Sequence, residues 1–414
     1  MNHSGGSWVL SVFYSAVARV VPAEAGLAYG TPSQDFVDGI SQAGACGYLT
    51  LRYLQPNSPP KDKSILGPDD HDQRLTMTKI AILGGSGYTA AELIKILLRH
   101  PAAEIVAVTT RQEDAPEVAD LHPSLMVRVR LRCELFNADR LLARGVECAF
   151  GCLPHGASMS TLPSLLERGV RVIDLSADYR LRDPNVYAQW YGESHEDLAH
   201  LAQAVYGLPE IYAEEIVTAH LVANPGCYPQ TAILGLAPLV AAKYIDLRSI
   251  IIDSKSGVSG AGRTPKLRTH FPECNESVSA YNVGTHRHTP EIEQTLSDIA
   301  GEDIEVIFTP HLVPMDRGIF TTIYAMPHRP ITESQLLELY RDYYAKAPFV
   351  RLTSHLPATK DASGTNYIDL ALRVVRGRVI VLASVDNLVR GASGVAVQNF
   401  NLMYGHAPET ALIY

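Results

Sequence analysis

The stretch Lys79-Ile80-Ala81-Ile82-Leu83-Gly84-Gly85-Ser86-Gly87-Tyr88-Thr89-Ala90 decides the fold. Residues 80–83 are apolar and read as a buried strand, and residues 90–98 read as a helix. Between a strand and a helix, a glycine turn lets backbone N–H groups approach a pyrophosphate. The spacing G-x-x-G-x-x-A is a variant of the dinucleotide fingerprint, and its placement carries the reading more than its pattern does. Gly84, Ser86, Gly87, Tyr88 and Thr89 are therefore expected to bind a cofactor. The plainer alternative is an ordinary glycine turn at a strand–helix junction.

Outward from this turn, strands and helices alternate. Residues 104–109, 149–153 and 170–175 read as strands, and 158–166 as a helix. That order predicts an α/β fold with a doubly wound, Rossmann-type parallel sheet. Beyond Cys227 the runs 249–253, 305–309, 319–325 and 379–384 are β-rich between long segments, which predicts a second α+β domain with a mixed sheet. The tail 387–403 reads as helical and is expected to return to the first domain. The expected division is a dinucleotide-binding domain over 77–224, completed by 385–414, and a catalytic and oligomerisation domain over 225–384. Residues 1–76 show no sustained period and are read as an extension outside the core, disordered or upstream of the natural start.

The second strand ends in Thr109-Thr110-Arg111, where a site for NAD usually places a carboxylate on the ribose 2′-hydroxyl. Two hydroxyls and a guanidinium suit a 2′-phosphate instead. With Thr110 and Arg111 as its ligands, the expected cofactor is NADP (NADPH), although Glu113 and Asp114 stand close by.

Composition narrows the class. The chain has 414 residues, 46% hydrophobic and 19% charged, and a net charge of −9, which argues against a nucleic-acid surface. Its six cysteines stand singly, with no C-x-x-C pair, as in reduced cytoplasmic proteins. Cys148, Cys152 and His155 could be imagined as metal ligands, but 146–153 is strand-like and no metal is expected. No apolar run approaches the roughly 20 residues of a membrane span. The nearest, residues 8–21, is interrupted by Arg19, so a cytoplasmic location without membrane contact is expected.

Asn224-Pro225-Gly226-Cys227-Tyr228-Pro229 places a cysteine on a tight loop before an apolar run, 231–242, that reads as a helix. A thiol there meets unpaired N–H groups and the positive end of the helix dipole, which predicts a pKa below the free value of about 8.5. Cys227 is thus a candidate nucleophile, the alternative being a small buried cysteine behind a turn. His286 and His288 flank Arg287 just before a helix starting at Pro290, with Thr289 as the expected N-cap. Either could shuttle protons, or the segment could be a surface turn. The loop 253–263, with Ser259, is dense in Gly, Ser and cations and could wrap an anion. Asp174 to Arg180 leaves a strand at the sheet edge where such folds bind ligands, bringing Ser176 toward the cofactor and Arg180 toward the substrate.

Together the Gly-Ser-Gly-Tyr-Thr loop, Leu153-Pro154-His155-Gly156, Asp174 to Leu181, Tyr206-Gly207-Leu208-Pro209-Glu210, the Cys227 loop, Ser256 to Arg263, His286 to Glu291, Pro310 to Gly318 and Asp386 to Met403 resemble the N-acetyl-gamma-glutamyl-phosphate reductases of arginine biosynthesis. These enzymes are semialdehyde dehydrogenase-like. The resemblance runs from Met77 to the C-terminus. It implies NADPH-dependent reduction of an acyl phosphate through a cysteine thioester. Cys227 would be the nucleophile, His286 the acid/base in preference to His288, and Asn387 part of the nicotinamide site. Arg180 or Ser259 would hold the substrate phosphate, and His288 would lie near substrate. A homo-oligomer, dimer or tetramer, is implied as well. Ala90, Gln230 and Val395 depart from the family's usual glycine, threonine and glutamine. Carrier-bound aminoadipyl phosphate would need the same residues. Other readings are a nucleotide-independent cysteine hydrolase and a non-catalytic NADP-binding regulator.

Overall fold

A computed structural model describes residues 77–413, so the reading of residues 1–76 lies outside the described residues. β1 (Thr78–Leu83) runs through the glycine turn into the helix Tyr88–Leu97. β2 (Ala103–Val108), β3 (Cys148–Gly151), β4 (Arg171–Asp174), β5 (Val205–Tyr206) and β6 (Leu221–Ala223) complete the first sheet, in the order β2-β1-β3-β4-β6-β5. Every pair of neighbours is parallel. Ile80 to Leu83 are fully buried, as expected for a strand covered on both faces. The strand order reverses at β1, with β2 on one side and β3 on the other, which opens a crevice at the strand ends.

The second sheet contains β7 (Ile245–Ser256), β8 (Ser279–Ala280), β9 (Ile307–Leu312), β10 (Ile319–Pro327), β11 (Val350–Leu352), β12 (Ile368–Val375) and β13 (Arg378–Val385). Their order is β11-β12-β13-β10-β7-β9-β8. β7–β9 and β11–β12 pair parallel and the other neighbours antiparallel, so the sheet is mixed. The sequence reading omits β12, whose apolar run is interrupted by Asp369. That carboxylate is buried and paired with Arg351 at 2.9 Å.

One face of this sheet packs on the helix Cys227–Ala241, whose residues from Tyr228 to Val240 are all buried. The helix starts at Cys227 itself, four positions before the expected start. Residues 158–166 form two short helices, Ser158–Thr161 and Pro163–Leu166, because Pro163 has no N–H with which to continue the first. The helix Thr289–Ala300 has His288 rather than Thr289 at its N-cap. After β13 a π-type turn, Val389–Ser393, leads into the helix Gly394–Met403. Its Ala396, Val397 and Phe400 share a core with Ile80, Ile82 and Leu93 of the first sheet's layer.

Candidate active site

The glycine turn borders a cleft of about 850 Å³ that Thr109, Thr110, Arg111, Leu153 and Pro154 also line. Gly84 has φ +87°, and a Cβ there would sit 2.5 Å from the Cys152 carbonyl oxygen. A Cβ on Gly85 would strike Val108 Cγ1 at 2.3 Å. Around Gly87, by contrast, nothing comes nearer than Thr89 Oγ1 at 3.7 Å, so the backbone is open to a ligand. The helix beyond has no side-chain cap and no acid in its first turn, leaving its first N–H groups for an anion. These features fit a dinucleotide pyrophosphate. Thr109 Oγ1 accepts from Gly84 N–H at 3.2 Å and shapes the turn. Thr110 is buried and its Oγ1 accepts from Gln112 N–H at 3.2 Å. Arg111 is exposed and makes no ion pair among the described residues. Glu134 abuts the end of β2, but Arg144 holds its carboxylate at 2.5 and 2.9 Å.

Cys227 stands where two further cavities meet. A crevice of about 260 Å³ reaches it from the glycine turn, lined by Gly87, Tyr88, Thr89, Arg180, Ser259, His288 and Asn387. On the other side a cleft of about 560 Å³ is lined by Cys227, His155, Tyr191, Tyr281, Lys266, Arg268, His286, Arg287 and His288. Cys227, His155 and His288 belong to both walls.

The loop before the thiol is gripped from two sides. Arg180 Nε donates to the Asn224 carbonyl at 2.8 Å, and Gly226 N–H donates to Glu291 Oε1 at 2.7 Å. Any Cβ on Gly226 would lie 2.5 Å from His288 Nε2, so glycine is needed for this approach. The expectation of a depressed thiol pKa is not met. Burial pushes the Cys227 thiol up to about 11, against the pull of Arg180 and of the backbone N–H groups of Tyr228 and Cys227. The helix start supplies the predicted N–H groups, but it is buried, and desolvation of the anion outweighs them.

His286 is buried among Tyr228, Tyr281 and Phe308, with ring centroids 5.3–5.5 Å away. Its Nδ1 accepts the His288 backbone N–H at 3.1 Å, so the neutral ring carries its proton on Nε2. Burial, reinforced by Arg287, takes its pKa down to about 4. His288 is driven well below the ordinary value by burial, with His286, Arg180 and His155 adding to the effect.

Three expected ligands are otherwise engaged. Ser176 is 1% exposed and lines none of these cavities, because its hydroxyl donates to Asp174 Oδ2 at 2.5 Å. Arg180 spends its guanidinium on Asn224, on the Leu175 carbonyl at 3.1 Å and on Glu291 at 3.4 Å, and so braces the loop. Ser259 Oγ donates to the Asp316 carbonyl at 2.6 Å and accepts from Asn387 Nδ2 at 3.0 Å. The sequence reading gave no role to the cations Lys266, Arg268 and Arg287, which face the larger cleft on Cys227; among the described residues no carboxylate lines that cleft. Asp178, also passed over, accepts from Gly156 N–H at 2.8 Å and Ser158 N–H at 3.0 Å, which pins the His155 loop. Among the described residues no trio of His, Cys, Asp or Glu is placed to hold a metal ion.

The crevice that runs from the glycine turn to the half-buried Cys227, between a parallel and a mixed sheet, accompanies the semialdehyde dehydrogenase fold. Residues 79–219 match the family model for the semialdehyde dehydrogenase NAD binding domain, and 227–387 that for the dimerisation domain. With curated relatives named N-acetyl-gamma-glutamyl-phosphate reductase at about half identity over nearly their full length, the chain belongs to that family. The relative from Desulforudis audaxviator is 51% identical across 82% of this chain and 99% of its own length. That from Rhodopirellula baltica is 48% identical across 80% and 97%. Among solved structures, aspartate semialdehyde dehydrogenase II from Vibrio cholerae superposes with a TM-score of 0.61 at 17% identity, over 80% of this chain and 99% of that one. The Candida albicans aspartate semialdehyde dehydrogenase with NADP gives 0.61 at 15% identity, over the same shares.

Proposed function

We propose that the chain reduces N-acetyl-glutamyl 5-phosphate to its semialdehyde with NADPH, releasing phosphate, as a step of arginine biosynthesis. The observation that carries this reading is the position of Cys227 on the shared wall of the nucleotide crevice and the substrate cleft. The cleft's three cations, with no carboxylate among its described lining residues, suit a substrate bearing a phosphate and a carboxylate, in a protein whose net charge is −9.

Cys227 Sγ attacks the acyl carbon, the C–O bond to phosphate breaks, and a thioester remains on the enzyme. The glycine turn and Arg111 would hold NADPH, which supplies a hydride when bound. His286 Nε2, the protonated nitrogen of the neutral ring, donates to the departing Sγ as the C–S bond breaks and the aldehyde leaves, the thiol proton of the first step having gone with the phosphate. His288 lies beside the thiol loop and lines the substrate's path. Because burial disfavours both thiolate and imidazolium, thiol and imidazole rest neutral in the free enzyme.

Residues 77–224 with 385–414 would form the nucleotide-binding domain and 225–384 the catalytic one. Ile251, Ile307 and Tyr324 are exposed side by side on the open face of the second sheet, the surface proposed for self-association into a dimer or tetramer. No helix among the described residues is long and apolar enough to cross a membrane, and a cytoplasmic location is proposed. The function is tested by oxidising N-acetyl-glutamate semialdehyde with NADP and inorganic phosphate. Turnover is expected from the unaltered chain, and none from Cys227→Ser, which should still bind NADPH. Turnover in that variant above a few per cent would overturn the covalent route.

A further inference from the structure

Glu291 enters the site from the first turn of the helix Thr289–Ala300 and is 1% exposed. One carboxylate oxygen, Oε1, accepts from Gly226 N–H at 2.7 Å and from the Tyr206 hydroxyl at 2.6 Å. The other, Oε2, faces Arg180 Nη1 at 3.4 Å. Arg180 in turn holds the Asn224 carbonyl, and Pro225 between them has no N–H to offer. The three residues before Cys227 are thus bracketed by one buried ion pair. Arg180 takes the carbonyl end and Glu291 the amide end. The pair also joins the loop after β4 to a helix of the second sheet's layer, so it fixes the thiol relative to both cavities.

We infer that Glu291 is a positioning residue for the Cys227 nucleophile, setting its place through Gly226 and the share of Arg180's charge that reaches the sulfur. The inference rests on Cys227 being the nucleophile of the proposed reaction. The titratable and charged groups around the thiol are Arg180, Glu291, His155, His286 and His288, with the Tyr191, Tyr228 and Tyr281 phenols and, across the larger cleft, Lys266, Arg268 and Arg287. Of these, Arg180 stabilises the thiolate and Glu291 opposes it. A neutral group at 291 leaves Arg180 uncompensated beside the sulfur. A merely structural carboxylate would leave the titration of the thiol where it was.

Glu291→Gln keeps an oxygen for Gly226 and Tyr206 and removes the charge. Iodoacetamide alkylation of Cys227, followed against pH in the free enzyme, should show its midpoint lowered by about one pH unit. Glu291→Asp keeps the charge but withdraws it by one methylene, so the midpoint should hold while kcat for semialdehyde oxidation falls at least about tenfold, as misplacement of a reacting group does. Both variants should keep the KM for NADP. An unchanged midpoint in Glu291→Gln, or an unchanged kcat in Glu291→Asp, overturns the inference. If the glutamine variant fails to fold, the aspartate variant alone decides. Alkylation needs neither substrate nor cofactor, so a failure there is separate from a chain that oxidises no N-acylated semialdehyde, which would sink the functional reading.

Discussion

Gly391 packs its backbone against Cys227: a methyl group at this position would lie 2.8 Å from the Cβ of that cysteine. The π-type turn after β13 is therefore the back wall of the thiol, and it also lines the crevice that reaches Cys227 from the glycine turn. Gly391→Ala must shift either the turn or the cysteine. A displacement near 1 Å can cost about a hundredfold in turnover. The variant should fold, as judged by its melting temperature, and lose activity on that scale.

The thiol itself should react slowly at neutral pH. Burial raises its pKa to about 11, so the thiolate fraction grows as pH rises and falls as pH drops. Alkylation of Cys227 in the free enzyme should climb from pH 7 to beyond pH 10, with no plateau near the ordinary value of about 8.5. A midpoint below 8 would show that the helix start outweighs desolvation after all.

His286→Asn should slow turnover by roughly 10²- to 10⁴-fold, the usual worth of general acid–base catalysis, and spare NADPH binding. His288→Asn should raise KM for the acyl phosphate more than it lowers kcat. The reverse pattern in steady-state kinetics would exchange the two roles.

Arg111 is the residue proposed to decide the nucleotide. A charge-assisted contact to a 2′-phosphate is worth about 1.5–3 kcal/mol, or roughly ten- to a hundredfold in affinity. NADPH should be preferred over NADH, and Arg111→Ala should remove most of that preference while leaving NADH kinetics nearly untouched. Equal kcat/KM for both nucleotides in the unaltered chain would shift control of the pocket to Glu113 or Asp114.

Much of this site can be read along the chain because its parts are local. The glycine turn lies between one strand and the next helix, and Cys227 follows its own loop, so order along the sequence fixes their setting. What escapes is what the fold brings together from afar. Glu291 looks like a routine first-turn acid until Gly226, Tyr206 and Arg180 converge on it. Ser176 and Arg180 sit at the predicted sheet edge, yet their polar atoms are spent on Asp174 and on the Cys227 loop. A residue's address is visible in sequence, whereas the partner that claims its hydrogen bonds is not. The same limit explains the thiol. Its helix start is legible, but the degree of desolvation depends on walls contributed by Gly391 and His288, far along the chain.

The helix Gly394–Met403 carries a consequence for how the molecule is made. Its Ala396, Val397 and Phe400 fill the space beside Ile80, Ile82 and Leu93, so the core behind the first strand is finished by a segment translated long after it. Emerging from the ribosome, the nucleotide half holds its strands and glycine turn with one wall missing. Domains generally fold in the order they are synthesised. Here the first sheet must wait for a helix made long after it, and a chain stalled before Gly394 would present that apolar surface to chaperones and proteases rather than to NADPH.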